Sequence, residues 1–402
     1  MRRIVVAGAS AAGLAAAETL RREGFGGTLT LVGAEPHLPY DRPPLSKQVL
    51  AGAWPPERTA LRAGADLAAL DLDLRLGTAA TGLDTAARAV ALSDGASVGY
   101  DGLIVATGVR PRGLPECAPA DGVHVLRGLD DALTLRDRLA AGRRLVVVGA
   151  GFLGCEVASS ARALGVAVTL VEPAPIPLAH AVGEQVGGHL ARLHRDRGVD
   201  LRLGTKVTGI ETGAAGRRGV QLSDGTVVVA DDVLVAVGSL PNTEWLGGSG
   251  LDTGDGVVCD QYSAAAPGVY AAGDVARWYH PLFRTSLRVE HRTNAAEQGM
   301  AAARNLLRPE RAEPFAPVPY FWSEQHGVRI QAFGHLRGHD EARVVQGDPA
   351  EGRFLVAYRT GATLTGALAV AMPPRELRRW RTAVAAGTAW QELFEQGPPA
   401  GP

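Results

Sequence analysis

The 402-residue sequence predicts an α/β fold with two Rossmann-like domains and a C-terminal α+β domain. The main observation is a repeat. The stretch "RRIVVAGASAAGLAAAETLRREG" near the start returns in the middle as "RRLVVVGAGFLGCEVASSARALG". Each copy has the pattern of a buried strand, a glycine-rich turn and an Ala-rich amphipathic helix. A chain of this length can bury more than one core, and residues 313–402 follow a different pattern.

The similarity between the two repeats extends past the glycine-rich turns. "ALSDGASVGYDGLIVATGVRPR" ends the first repeat, and "QLSDGTVVVADDVLVAVGSLPN" ends the second. We therefore place the first repeat at residues 1–112 and the second at 113–238. Residues 313–402 would form the C-terminal domain, with strands and one terminal helix in addition to a basic helix start at 373–381.

Composition is that of an ordinary globular protein, with 46% hydrophobic and 21% charged residues. A formal net charge of −1 gives no general attraction to nucleic acid or to anionic membranes. The apolar run after "MRR" is too short for a signal sequence, and no run is long enough to span a membrane. Cys117, Cys155 and Cys259 show neither CxxC nor zinc spacing, so we expect a cytoplasmic protein without a metal site.

Each glycine-rich turn has the spacing of a dinucleotide-binding turn. The first small residue allows the tight turn from strand to helix, and the last allows close packing of the two elements. The middle residue must be small so that a pyrophosphate can approach the helix N-terminus. One such turn is a weak signal, whereas two copies between strand and helix are a strong one. The residues are Gly8, Ser10 and Gly13 in the first turn and Gly149, Gly151 and Gly154 in the second.

An acidic residue follows the next strand in both repeats, as Glu35 and Glu172. A carboxylate in this place accepts a hydrogen bond from a ribose 2′-OH and repels a 2′-phosphate. The residues after Glu172 read "PAPI", with no Arg to hold a phosphate. If the second repeat binds a nicotinamide dinucleotide, Glu172 therefore predicts a preference for NADH over NADPH; the alternative is a surface acid.

Further stretches resemble those of a known family. They are "YDRPPLSK", "ATGVRPR", "GAGFLGCE", "AAGD", "RVEHRTNAAEQG" and "PYFWSEQHG". Together they cover nearly the whole chain and resemble the FAD-dependent pyridine-nucleotide oxidoreductases. Within these, the sequence looks like the ferredoxin reductases that supply electrons to oxygenases, such as rubredoxin and putidaredoxin reductases. Apoptosis-inducing factor is similar.

The resemblance implies that FAD binds to the first repeat and the residues after 238, and that NADH binds to the second repeat. Residues 239–312 would then complete the FAD domain, and the NADH domain, 113–238, would be inserted into it. Electrons would pass from NADH through FAD to a [2Fe–2S] or similar ferredoxin, which would serve a cytochrome P450 or a dioxygenase. The implied FAD positions are Gly8, Ser10, Ala12, Gly13, Glu35, Arg42, Lys47, Ala80, Ala106, Thr107, Gly108, Arg127, Gly273, Asp274, Arg292 and Trp322. The implied NADH positions are Gly149, Gly151, Phe152, Leu153, Gly154, Glu172 and Gly238.

Lys47 is one of only two lysines, with Lys206, among 41 basic residues. The resemblance implies that Lys47 approaches the flavin and pairs with Glu156 as a catalytic pair. A compact ammonium suits a tight pocket better than a planar guanidinium does, and it would stabilise negative charge on the flavin. The alternative is an exposed lysine in a turn. The same resemblance implies that Arg42 contacts the FAD phosphates and that Asp274 binds the ribityl chain.

Two regions could contact the ferredoxin. Arg292 stands where many relatives have Trp, and "PPRELRRWR" begins a basic helix. The alternative is that this basic run is only a solvent-exposed helix face. The docking candidates are Arg292, Arg375, Arg378, Arg379 and Arg381. The tail "EQGPPAGP", residues 395–402, is expected to be disordered.

Other functions remain open. Disulfide, coenzyme A-disulfide and peroxide reductases of this fold need a cysteine near the flavin, and "PPLSKQVL" contains none. Cys155 is interpreted as a packed helix residue. An NADH oxidase that reduces O2 and a redox-sensing interaction protein are the remaining alternatives.

Overall fold

The computed structural model describes residues 1–114, 121–213 and 216–395. Cys117 and residues 396–402 of the tail lie outside this part of the chain. The chain forms two compact units. The first unit comprises 1–41, 57–110 and 240–319, and the second comprises the described parts of 42–56, 111–239 and 320–402.

The described residues form many short strands. Up to residue 124 they are β1 (Arg3–Ala7), β2 (Thr28–Gly33), β3 (Asp73–Leu76), β4 (Ala80–Asp84), β5 (Ala89–Leu92), β6 (Ser97–Gly99), β7 (Gly102–Val105), β8 (Val109–Pro111) and β9 (Val123–His124). The middle strands are β10 (Arg144–Val148), β11 (Ala167–Glu172), β12 (Asp200–Leu203), β13 (Val207–Thr212), β14 (Arg218–Leu222), β15 (Val227–Ala230), β16 (Asp232–Val235) and β17 (Ser239–Pro241). The last are β18 (Val257–Cys259), β19 (Ala264–Ala266), β20 (Val269–Ala271), β21 (Ala276–His280), β22 (Thr285–Arg288), β23 (Tyr320–Gln325), β24 (Val328–Gly334), β25 (Glu341–Asp348), β26 (Arg353–Thr360) and β27 (Thr363–Val370).

The helices lie between and after these strands. They are α1 (Ala11–Arg22), α2 (Gly64–Ala68), α3 (Leu129–Arg138), α4 (Phe152–Ala163), α5 (Ala179–Asp196), α6 (Arg292–Leu307), α7 (Pro374–Ala385) and α8 (Glu392–Glu395). Short 3₁₀ turns are formed by Pro43–Ser46, Pro56–Thr59, Glu244–Leu246, Gly273–Val275 and Pro309–Arg311.

The first unit is built around a six-stranded sheet in the order β19-β20-β7-β1-β2-β3. Strands β1 and β7 are parallel and consist almost entirely of buried aliphatic residues, as expected for strands covered on both faces. Strand β20 pairs with β7 in parallel, so residues after 238 complete this sheet.

Helices α1 and α6 of the first unit pack closely because small residues line their contact. A Cβ atom on Gly299 would lie only 2.2 Å from the carbonyl oxygen of Ala12. Ala16 and Ala302 are fully buried in the same core cluster. Any larger residue at position 299 would separate the two helices, which fixes the start of α1 against α6.

The second unit contains the second repeat as a parallel sheet in the order β12-β11-β10-β16-β9. Helix α4 connects β10 to β11 and covers the sheet, as the sequence of the repeat predicts. The antiparallel strands β13, β14 and β15 form a separate small sheet. The α/β fold class with two Rossmann-like parts is therefore confirmed.

The C-terminal part of the second unit is an antiparallel sheet in the order β23-β24-β27-β26-β25. Helix α7 buries Leu377 and Trp380, each 1% exposed. Val186 of α5 joins Ile330 and Phe354 in one core cluster. The α+β prediction is confirmed: the basic run begins helix α7, and α8 is the short terminal helix.

The domain limits 1–112, 113–238, 239–312 and 313–402 stay a prediction. Among the described residues, no helix has the length and apolar character needed to cross a membrane.

Candidate functional site

The first glycine-rich turn requires glycine at two positions. Gly8 has φ +125°, and a Cβ atom there would lie 2.0 Å from the Ala106 carbonyl oxygen. A Cβ on Gly13 would lie 1.7 Å from the carbonyl oxygen of Gly8. Ser10 has extended backbone and makes no side-chain cap on α1, so its departure from glycine does not distort the turn. The first-turn amides of α1, which have no acceptors within the helix, thus lack a side-chain cap.

The second turn repeats this geometry. Gly149 has φ +102°, with a would-be Cβ 2.4 Å from the Ala236 carbonyl oxygen. A Cβ on Gly154 would lie 2.0 Å from the carbonyl oxygen of Gly149. Gly151 is the N-cap that precedes α4 and provides no side-chain cap, and a Cβ there would meet no atom within 4 Å. Each turn therefore ends in a helix N-terminus without a side-chain cap, and the adjoining backbone is too closely packed for larger residues. This arrangement fits the binding of a dinucleotide pyrophosphate.

The predicted ribose-binding acids lie at the second strand of each repeat: Glu35 follows β2, and Glu172 ends β11. The Glu172 carboxylate accepts hydrogen bonds from the backbone amides of Ala150, at 2.7 Å, and Ala174, at 2.9 Å. It is thereby held beside the second turn. Glu35 accepts a hydrogen bond from the Tyr40 hydroxyl. Contact of either carboxylate with a ribose stays a prediction.

Three other residues of the NADH set lie near the second turn. Phe152 and Leu153 form the first turn of α4 and are half-buried. The Phe152 ring contacts Phe321 edge to face, with centroids 4.9 Å apart. Gly238 has φ +103°, and its carbonyl oxygen accepts the Arg112 amide at 2.9 Å.

The "ATG" and "AAGD" stretches form tight turns in the first unit. The Thr107 hydroxyl donates to the Asn242 carbonyl at 2.8 Å, and the Asn242 side-chain amide donates to the Thr107 carbonyl at 2.9 Å. Gly108 follows with φ +66°. The sequence prediction did not include Asn242, although it closes the repeated "SLPN" stretch.

The "AAGD" turn depends on a buried amide. The Gly273 amide donates to the Gln298 side chain at 3.0 Å, which holds the residue before Asp274. Gly273 has φ +77°, and a Cβ there would lie 2.9 Å from the Cβ of Ala12. This turn is thus packed directly against the start of α1.

The predicted ion pair between Lys47 and Glu156 is present in the second unit. The Lys47 Nζ lies 2.6 Å from Glu156 Oε2, and the two side chains are only 12% and 9% exposed. The Ser46 hydroxyl donates to the same oxygen at 2.6 Å, and the Ser323 hydroxyl donates to Oε1 at 2.7 Å. A buried carboxylate with one cation and two hydroxyl donors is well satisfied. Its relation to a flavin stays a prediction.

Local structure explains how Lys47 reaches Glu156. The prolines of "RPPLSK" favour the 3₁₀ turn Pro43–Ser46, which Lys47 ends. The Ser160 hydroxyl donates to the Ser46 carbonyl at 2.7 Å and ties this turn to α4. Glu156 lies on α4 one turn before Ser160. Both serine contacts were missed by the sequence prediction.

Arg42 and Arg127 are brought together in the second unit. The Arg42 guanidinium donates to the Arg127 carbonyl at 2.7 Å. The Asp131 carboxylate accepts the backbone amides of Arg127 and Gly128 and so caps α3. Ala80, another implied FAD contact, begins β4 in the first unit.

Arg292 and Trp322 both have neighbours within their own units. Arg292 begins α6, is 26% exposed on its side chain and forms an ion pair with Asp41. Trp322 is half-buried in β23 and stacks on Tyr320, with ring centroids 5.9 Å apart.

The two described cysteines are buried. Cys155 is 0% exposed, so its interpretation as a packed helix residue is confirmed. Burial and the neighbouring charge of Glu156 raise the pKa of its thiol. Burial also raises the pKa of Cys259 to about 12. Neither forms a reactive thiolate at neutral pH. In the described ranges, no group of three or more His, Cys, Asp or Glu could hold a metal ion.

Comparisons with known proteins agree with this architecture. Residues 2–299 match the pyridine nucleotide-disulphide oxidoreductase family, and residues 320–393 match the reductase C-terminal family. A ferredoxin–NAD(+) reductase component of the anthranilate 1,2-dioxygenase system of Burkholderia cepacia is 38% identical over 95% of this chain and 94% of its own. Putidaredoxin reductase of Pseudomonas putida is 36% identical over 89% of this chain and 86% of its own.

A solved structure extends the match to three dimensions. The covalent complex of putidaredoxin reductase with putidaredoxin contains a chain with a TM-score of 0.91 and 34% identity, covering 96% of this chain and 93% of its own. The chain thus has the fold of a protein whose structure is already known. The chain belongs to the pyridine nucleotide-disulphide oxidoreductase family and carries a reductase C-terminal domain.

Proposed function

We propose that this protein is an FAD-dependent NADH:ferredoxin reductase whose acceptor is a [2Fe–2S] ferredoxin serving an oxygenase. Bound FAD accepts hydride from NADH and can return the electrons singly, as a one-electron iron–sulfur acceptor requires. The relatives named above are reductases of a dioxygenase system and of putidaredoxin, and this supports the assignment.

The observation that carries the proposal is the buried Lys47–Glu156 pair in a segment without cysteine. Thiol-dependent enzymes of this fold need a cysteine in that segment. Here the segment instead contributes an ammonium group, held 2.6 Å from a carboxylate. Such a group can bind and stabilise negative charge but cannot attack a disulfide or a peroxide.

The two turns have different roles in this proposal. The uncapped start of α1, with Gly8 and Gly13, holds the FAD pyrophosphate, and Asp274 orients the ribityl chain. The start of α4, with Gly149 and Gly154, holds the pyrophosphate of NADH. The remaining FAD and NADH positions named above complete the two sites.

Cytochrome c reduction by NADH, measured with and without a [2Fe–2S] ferredoxin, tests the proposal. Rapid-mixing absorbance at the flavin band first records whether NADH reduces the FAD of the purified protein. We expect reduction by NADH and a large increase in cytochrome c reduction when ferredoxin is added. Oxygen consumption at the same rate with and without ferredoxin would instead identify an NADH oxidase, and failure of NADH to reduce the flavin would exclude both.

A further inference from the structure

A line of hydrogen bonds continues from Glu156 into the C-terminal sheet. Ser323, which donates to Glu156, lies 3.2 Å from the side-chain amide nitrogen of Gln325. The Gln325 side-chain oxygen lies 3.1 Å from Nε2 of His194. Ser323, Gln325 and His194 are each 0% exposed, in a region where nearby residues are apolar.

The line ends at a second imidazole. Nδ1 of His194 lies 3.0 Å from Nε2 of His326, and the two rings meet edge to face with centroids 4.6 Å apart. His326 is half-buried, whereas His194 is fully buried. The line thus runs from the inside of the unit to a group that solvent can reach.

The direction of every hydrogen bond follows from the chemistry of Glu156. An ionised carboxylate only accepts, so Ser323 donates to it and must accept from the Gln325 amide. The Gln325 oxygen then accepts from His194 Nε2–H. The neutral His194 ring has its lone pair on Nδ1, which accepts from His326 Nε2–H. Every group donates toward Glu156, opposite the Lys47 ammonium.

Backbone structure holds His326 at the end of this line. His326, with φ +52°, and Gly327, with φ +78°, form the two-residue turn between β23 and β24. The His326 amide donates to the Ser159 hydroxyl of α4 at 2.6 Å. Histidine tolerates this left-handed conformation better than most residues, and the turn is tied to the helix that carries Glu156.

The charged groups near the two histidines favour their neutral forms. Arg162 of α4 and Arg197, just after α5, lie on the His326 side. Burial, the neighbouring His194 and these two arginines lower the pKa of His326 to about 4. Burial also lowers the pKa of His194, although the hydrogen bond that His194 donates to the Gln325 oxygen acts in the opposite direction. A proton on His194 Nδ1 would face the His326 N–H and break the line, whereas a proton on His326 Nδ1 would not.

We propose that His194 and His326 are positioning residues for the Lys47–Glu156 pair, acting through Gln325 and Ser323. They fix the Ser323 hydroxyl on one oxygen of Glu156 and leave the other for Lys47. Protonation of His194 breaks its hydrogen bond with His326, and the Ser323 hydroxyl is then no longer fixed on Glu156. This inference rests on the proposed function for its catalytic consequence, but the hydrogen-bond line itself does not depend on a bound cofactor.

Nitrogen NMR of the protein labelled with ¹⁵N-histidine tests the line directly. We expect both rings to be neutral and protonated at Nε2 at pH 7.5. Gln325→Met removes the acceptor of His194 and should shift the His194 resonances, while His189→Phe, on the same helix, should not. A His194 ring protonated at Nδ1 at pH 7.5 would overturn the proposal.

Flavin reduction by NADH tests the consequence for the Lys47–Glu156 pair. His326→Leu removes the donor to His194 and should slow reduction at pH 7.5 by about fivefold, the factor of one ordinary hydrogen bond. His326→Gln has backbone strain similar to that of His326→Leu but keeps an amide donor. Its rate of flavin reduction should therefore remain close to that of the parent. The rate of the parent should fall in acid as His194 takes up a proton, and Gln325→Met should weaken that dependence.

The outcomes separate this inference from the proposed function. If NADH does not reduce the parent protein, the proposed function fails, and the NMR result still decides the hydrogen-bond line. If the parent is active but both His326 variants behave like it at every pH, the positioning role fails. The same change in rate and pH profile in His189→Phe would reduce the role to general packing, which also overturns the proposal.

Discussion

Removing the Lys47 ammonium should slow flavin reduction without unfolding the protein. The pair joins opposite charges 2.6 Å apart, which at an effective dielectric of about 20 attract by about 6 kcal/mol. Desolvation of the two charges offsets much of this, and loss of one partner from a buried pair generally costs about 3–5 kcal/mol. Ser46 and Ser323 would still donate to Glu156. We therefore expect Lys47→Met to lower the free energy of unfolding by about 2–3 kcal/mol.

The effect on rate is expected to be larger than that of an ordinary surface substitution. We expect Lys47→Met to bind FAD, to have a lower flavin reduction potential and to be reduced by NADH about tenfold more slowly, which corresponds to about 1.4 kcal/mol. The other lysine of the chain supplies the control. Lys206 is exposed, and Lys206→Met should keep the parent rate and potential.

A double-mutant cycle with Glu156→Gln tests whether the two side chains act as one unit. If Glu156 acts by holding Lys47, the double variant should be reduced no more slowly than Lys47→Met alone. It should also melt at a higher temperature than Lys47→Met, because the amide leaves no buried charge without its cation. Rapid-mixing absorbance and thermal melts give both readouts. An unchanged rate and potential in Lys47→Met, or rate effects that simply add, would refute the reasoning.

The remaining predictions concern the nucleotide, acid stability and the partner. Because Glu172 lies at the second turn with no Arg after it, kcat/KM should favour NADH over NADPH by at least about tenfold; equal values would mean that Glu172 does not face the ribose. The pKa of His326 is about 4 in the folded protein, below its ordinary value, so its contribution to stability is complete above about pH 6.5 and is lost as pH falls toward 4. After allowance for the partial exposure of His326, this contribution amounts to about 1–2 kcal/mol of unfolding free energy. In urea titrations, the unfolding free energy of His326→Gln should therefore fall less between pH 7.5 and 4.5 than that of the parent; an identical fall in both proteins would contradict this. Arg375 and Arg378 are exposed on α7, so reversing both to Glu should raise the KM for an acidic ferredoxin at low salt and leave ferricyanide reduction unchanged; an unaltered KM would exclude this helix as the docking site.

The sequence predicted those parts of the molecule whose residues are close along the chain. The two glycine-rich turns lie within single strand–turn–helix segments, and Gly8 and Gly149 take the same backbone conformation, with φ of +125° and +102°. Only glycine avoids the carbonyl oxygens that approach these positions. The spacing therefore contains most of the physical information, and the turns could be predicted without knowledge of the tertiary fold.

The polar residues around Glu156 could not be predicted in this way, because they come from separate parts of the chain. Ser46, Ser323 and His194 meet only after a 3₁₀ turn, a sheet and a helix have packed together. One signal was nevertheless present. In "YFWSEQ", Ser323 and Gln325 share one face of the strand, and both are 0% exposed, so two polar side chains point into a core where they need partners.

Arg292 illustrates a different limit, because a sequence shows a charge but not its counter-ion. The family resemblance implies that Arg292 is a basic group near the flavin edge and a candidate contact for an acidic ferredoxin. In the first unit its guanidinium is paired with Asp41, a residue of the "YDRPP" stretch 251 positions earlier. The pair contributes no net charge to its surroundings, so Arg292 attracts an acidic protein less than an isolated arginine would. Its replacement would also leave Asp41 without its cation, so a change in ferredoxin affinity at this position would not by itself identify a docking contact.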